Sequence, residues 1–211
     1  MKRLLSALLG TALLLAGCGG DDGDGGSSAG KPASGNDPDL VVCIGDSLTA
    51  GINCAGAPYP TRLAGMCAKR VVNLGVGGVS SVYGRSHVGE ATSRRPGYVC
   101  ILYGSNDPGH SIGASESAAN IRAIVAACKS AGCVPIVATP PPTVDPHWDN
   151  NSELSKIAEA IRGVAREEGA ALVDLHAAFS GEPSRYLNPE DGLHFSDAGG
   201  DLVARKFDSK L

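Results

Sequence analysis

Five short apolar runs, at residues 40–44, 70–74, 98–103, 134–138 and 171–175, punctuate this chain, and none shows the polar alternation of a strand with one wet face. Runs of that length and character suit parallel strands covered on both sides. Between them Ala118, Ile121, Val125 and Cys128 recur at helical spacing, as do Leu154, Ile157, Ile161 and Val164, so each intervening helix carries one apolar stripe. Strand, helix, strand repeated through 211 residues predicts right-handed crossovers and a single three-layer α/β/α sandwich large enough to bury its own core. In such sheets ligands bind beyond the carboxyl ends of the strands, where strand order reverses. That edge is where chemistry should be sought.

The N-terminus reads differently. Met1-Lys2-Arg3 precedes an apolar run that is short for a membrane span and ends in Leu15-Ala16-Gly17-Cys18. This is similar to a bacterial lipoprotein signal, with residues 1–17 removed and Cys18 lipidated. Residues 18–38, rich in Gly, Asp and Ser, are expected to be a disordered tether with the folded domain at 39–211. Gly19 after the cysteine resembles lipoproteins sent to an outer membrane, so the chain is expected to be exported and anchored to the cell envelope. The net charge of −4, with both signs interleaved, argues against a nucleic-acid surface.

Export bears on the cysteines. Six remain beyond Cys18, and in an oxidising compartment the preferred local pairs are Cys54 with Cys67 and Cys128 with Cys133. Cys43 and Cys100 lie inside predicted strands, either as buried thiols or as a third bridge. No Cys-x-x-Cys or His-rich spacing suggests a metal site, and no cofactor is expected.

At the first strand end stands Ile44-Gly45-Asp46-Ser47-Leu48-Thr49-Ala50-Gly51. Gly45 permits a sharp turn, and Ser47 emerges where strand gives way to helix, beside backbone N–H groups and the positive end of a helix dipole. Three further stretches follow in order: residues 71–81, with Asn73 and the glycines 75, 77 and 78; Gly104-Ser105-Asn106-Asp107; and Asp191-Gly192-Leu193-His194. Together with Gly45-Asp46-Ser47-Leu48 these make residues 39–211 resemble the SGNH or GDSL hydrolases. The resemblance implies a flavodoxin-like five-stranded parallel sheet in the order 2-1-3-4-5. It also implies an oxyanion hole built from the Ser47 N–H, the Gly78 N–H (with Gly75 as the alternative) and the Asn106 side chain.

Acyl transfer needs a nucleophile, a base, a group that orients the base, and donors aimed at the oxyanion. Ser47 supplies the nucleophile, His194 the base, and Asp191 the orienting carboxylate. Asp46 and Asp107 are expected to brace turns, and Ser196 to cap the last helix. The other histidines, His87, His110, His147 and His176, lack a motif carboxylate and are read as surface, loop or pocket residues. An α/β-hydrolase would carry a Gly-x-Ser-x-Gly elbow, with acid and histidine on separate loops, which is not the pattern here.

The expected substrates are small acyl esters (acetyl, short-chain or lysophospholipid-type), including acetyl groups on polysaccharides, and the enzyme is expected to be a monomer. The segment 139–148, Trp148 included, should border the cleft. Two other functions fit the same scaffold, an acyltransferase and a catalytically silent carbohydrate-binding lipoprotein.

Overall fold

The computed structural model describes residues 30–211. The signal, Cys18 and most of the tether therefore lie outside the described residues. Five parallel strands form one sheet in the order β2-β1-β3-β4-β5, as the resemblance implied. They are β1 (Asp37–Gly45), β2 (Arg70–Asn73), β3 (Pro96–Leu102), β4 (Val134–Ala138) and β5 (Ala171–Val173).

The helices are α1 (Ser47–Ala50), α2 (Tyr59–Met66), α3 (Ser81–Thr92), α4 (Ala114–Ser130), α5 (Asn151–Glu168), α6 (Leu175–Ser180), α7 (Pro183–Tyr186) and α8 (Asp197–Asp208). Strand alternation feeds two separate cores. Val41, Cys43, Cys100 and Leu102 point to one face, where Tyr59 and Leu63 of α2, Phe179 of α6 and Phe207 of α8 pack. Val42, Ile44, Val99 and Ile101 point to the other, where Ile121, Ile124 and Val125 of α4 meet Ile157, Ile161 and Val164 of α5. The period of two in each strand and of 3.6 in each helix explains why no central strand shows a polar face.

Three expectations need correction. Packing against the domain extends to residues before 39: Ala33 N–H donates to Gly132 O, Asn36 Nδ2 donates to Pro96 O and Ala131 O, and β1 opens at Asp37. Polar side chains secure this stretch by hydrogen bonds, which a reading of apolar content does not register. The helix that opens at Ser47 is a single turn, closed by Gly51 in the left-handed region. Local N–H groups, rather than the dipole of a long helix, are what it offers.

The third correction concerns the cysteines, because Cys43, Cys54, Cys67, Cys100, Cys128 and Cys133 are all free thiols. Cys54 and Cys67 stand on either side of α2, whose eight residues span about 12 Å, and their sulfurs bond to Gly56 O and Lys69 O respectively. A disulfide joins Cα atoms less than about 7 Å apart. Cys128 and Cys133 are close for another reason. Gly132 N–H donates to Lys129 O and Cys133 N–H to Cys128 O, the paired bonds of a Schellman cap, and the two thiols provide the apolar contact that accompanies that motif. Cys43 and Cys100 are register partners on adjacent strands; burial first, then the neighbouring Cys43, pushes the Cys100 thiol far above its ordinary range.

Candidate active site

The site forms where β1 and β3 end, at the reversal of strand order. Asp46 caps α1 by accepting the Leu48 N–H at 2.9 Å, which turns the chain so that Ser47 stands at the sheet edge. Asp46 is fully buried, and desolvation, with the Asp107 charge adding to it, lifts its carboxyl to about 7 against the lowering effect of the Leu48 hydrogen bond. Its second oxygen and the Ser105 hydroxyl are the two buried side-chain atoms without a partner among the described residues.

His194 comes from 147 positions further along the chain to within 3.0 Å of Ser47 Oγ through Nε2. Its other ring nitrogen, Nδ1, lies 2.8 Å from Asp191 Oδ2. With Nδ1–H donated to the carboxylate, Nε2 is left as acceptor for the serine hydroxyl. Burial pushes the Asp191 carboxyl up, yet hydrogen bonds from the His194 and Leu193 backbone and from the His194 ring outweigh it and hold the group below its ordinary value. The loop bearing this pair is locked in place. Gly192 has φ +66°, and a Cβ there would fall 2.2 Å from Asp145 O, so only glycine fits between Asp191 and His194. Ser196 caps α8 by accepting the Gly199 N–H, as expected.

The second and third motifs line the other side. Gly75 N–H is committed to Asn73 Oδ1, whose amide in turn donates to Thr49 O, so this glycine ties the loop to α1. Gly78 differs. It has φ +73°, open space around it, and an N–H that donates to no group among the described residues; the same holds for the Ser47 N–H. Asn106 Nδ2 spends one hydrogen on Val79 O and keeps the other. Asp107 is structural: it accepts the Ser81 N–H at the start of α3 and the Ser117 hydroxyl.

Two of the competing histidines are elsewhere. The His87 ring stacks on Tyr83 in exposed α3, and the His176 ring meets Ser155. His110 holds a role that its lone position in the sequence did not suggest. Its Nε2 bonds Gly78 O at 3.0 Å, while its backbone N–H donates to Asn106 O, so it links the second motif to the third. Arg62 was equally illegible. Only 12% exposed, it joins Asp197 and Asp201 of α8 to the carbonyls of Ala55 and Ala57, and so fixes the helix that follows His194.

Among curated proteins none matches this chain. Solved structures share the fold. A lipase/acylhydrolase from Enterococcus faecalis superposes with a TM-score of 0.69 at 23% identity, covering 82% of this chain and 96% of that one. A catalytic mutant of Axe2, an acetylxylan esterase from Geobacillus stearothermophilus, gives 0.68 at 22% identity, covering 82% and 93%. The model of the GDSL-like lipase/acylhydrolase family matches residues 43–202, a span that runs from the strand before Ser47 into the helix after His194. The chain belongs to that family and is a serine ester hydrolase.

Proposed function

We propose that the protein hydrolyses small acyl esters through Ser47, His194 and Asp191, with the Ser47 N–H, Gly78 N–H and Asn106 Nδ2 as the oxyanion hole. The approach of His194 Nε2 to Ser47 Oγ, 3.0 Å, carries this reading. His194 takes the Ser47 proton as Oγ attacks the ester carbon, and the carbonyl oxygen becomes an anion facing three donors. Collapse of that intermediate breaks the bond to the alcohol, which leaves with the proton from His194. A water then gives its proton to His194 and attacks the acyl-serine, and the free acid departs as Ser47 recovers its hydrogen. Asp191 stays ionised throughout and stabilises the imidazolium.

The recess of about 250 Å³ beside Asn106 and Leu193 supports small rather than bulky esters. The acetylxylan esterase among the structural neighbours supports acetyl as one acyl group. We further propose that the domain is exported and held at the cell envelope through a lipid on Cys18, with the residues after it as tether. Growth with labelled palmitate tests the anchor, since unlabelled wild-type protein would exclude it.

A fluorophosphonate probe followed by peptide mapping tests the chemistry. Labelling is expected at Ser47 alone and to vanish in His194→Ala; a folded protein that takes no label would instead be a binding module. Adding a sugar acceptor separates hydrolysis from transfer, because transfer yields an acylated acceptor in place of free acid.

A further inference from the structure

The recess next to Asn106 has a wall whose chemistry is specific. Ser105, Asn106, His110, His147, Asn150 and Leu193 form it, and it carries neither a carboxylate nor a lysine or arginine. The His147 ring and the Asn150 amide, both half-buried, make no hydrogen bond among the described residues. The Ser105 hydroxyl lies behind the same wall, shut off from solvent, and so stays out of reach of a ligand in the recess. Two unused polar side chains, His147 and Asn150, on a half-buried wall fit a ligand that brings hydroxyl groups of its own. The absence of fixed charge on the wall argues against a phosphate or an ammonium group. Leu193 is its one aliphatic side chain, and polar and apolar surface share the recess about equally.

Position decides which half of an ester enters it. Leu193 directly precedes His194, whose Nε2 meets Ser47 Oγ, and Asn106, the proposed oxyanion donor, lines the same recess. The leaving oxygen receives its proton from His194 Nε2, so whatever is bonded to that oxygen extends along Leu193 into the recess. A hydrocarbon shelf stands beside Ser47. Ile52 and Val76 are exposed by 44% and 38%, Ile52 packs over Gly77, and Ile52 N–H and Val76 N–H bond to Ser47 O and Gly45 O. An acyl group finds apolar surface there.

We infer that the recess binds the alcohol half of the substrate and that this half is a neutral, hydroxyl-bearing ring, a sugar residue gripped by His147 and Asn150, with the acyl group on the Ile52–Val76 side. This rests on the esterase reading above. A volume of about 250 Å³ admits one such ring and leaves the remainder of a longer saccharide in solvent.

The test compares kcat/KM for an acetylated methyl glycoside with that for vinyl acetate, whose alcohol half is too small to reach the recess, using the full-length protein. His147→Ala and Asn150→Ala should each lower the glycoside-to-vinyl-acetate ratio roughly five- to tenfold, mainly through KM, as expected for loss of one hydrogen bond. His147→Gln should restore part of it. Gly109→Phe supplies a variant that fills the recess from a position with open space around it, and should lower the ratio further. An unchanged ratio in all of these, with vinyl acetate still hydrolysed, overturns the sugar assignment and leaves the esterase intact. A folded protein that hydrolyses neither ester overturns both. Faster turnover of a lysophospholipid than of the glycoside, indifferent to His147 and Asn150, also overturns the assignment.

Discussion

Asp191 serves His194 twice: Oδ2 holds the ring nitrogen Nδ1 at 2.8 Å, and Oδ1 accepts the backbone N–H of His194 itself at 2.9 Å. The three-residue spacing thus makes one carboxylate both the turn that presents the imidazole and the partner that sets its tautomer. Asp191→Asn separates the two roles. An amide oxygen can still accept the backbone N–H groups, but its NH2 faces Nδ1 and forces the proton onto Nε2. We expect kcat to fall on the order of 10³- to 10⁴-fold with little change in melting temperature. Activity within tenfold of wild type would remove Asp191 from the mechanism.

Asn106→Ala removes one of the proposed oxyanion donors and should cost on the order of 100- to 1,000-fold in kcat, with KM little altered. Steady-state kinetics on vinyl acetate provides the check.

His110 acts through the residues it links. His110→Ala frees the Gly78 carbonyl and loosens the peptide run that bears the Gly78 N–H, so kcat should drop by about tenfold while KM stays near wild type. His110→Gln retains a donor and should recover much of the loss. A purely structural role would lower the melting temperature of the alanine variant and leave its kcat alone.

Asp46 makes stability depend on pH. Its folded carboxyl titrates near 7 rather than 3.8, chiefly through burial and then the facing Asp107 charge, with the buried Tyr59 and Tyr103 nearby. A raised acid favours the fold while protonated. Its contribution is complete below the ordinary value and decays as pH climbs to about 7. Three units correspond to up to about 4 kcal/mol. Asp46→Asn keeps the acceptor for Leu48 N–H and abolishes the titration. The wild-type melting temperature should therefore fall relative to the variant between pH 4 and pH 8, and parallel curves would refute the assignment.

The cysteines give a simple chemical check. Denatured protein alkylated without reductant should show all six thiols, Cys43, Cys54, Cys67, Cys100, Cys128 and Cys133, as reactive. Protection of any pair until reductant is added would restore a disulfide.

What the sequence alone determined is what local periodicity and short motifs encode. The apolar runs marked the five strands, the stripes on α4 and α5 marked their buried faces, and three of the four motifs named Ser47, Asn106, Asp191 and His194. Each such signal resides within a few residues, and the order of the motifs followed the order of the strand ends. Tertiary structure alone decided which glycine keeps a free N–H, because the commitment of Gly75 to Asn73 depends on a loop docked against α1. Only the assembled fold, likewise, joined His110 to Gly78 and Arg62 to α8, across 32 and 135 or more positions of chain. The cysteine spacings misled for the same reason. A separation of five positions from Cys128 to Cys133 suits a disulfide and a helix cap alike, and the αL turn at Gly132 selects the cap.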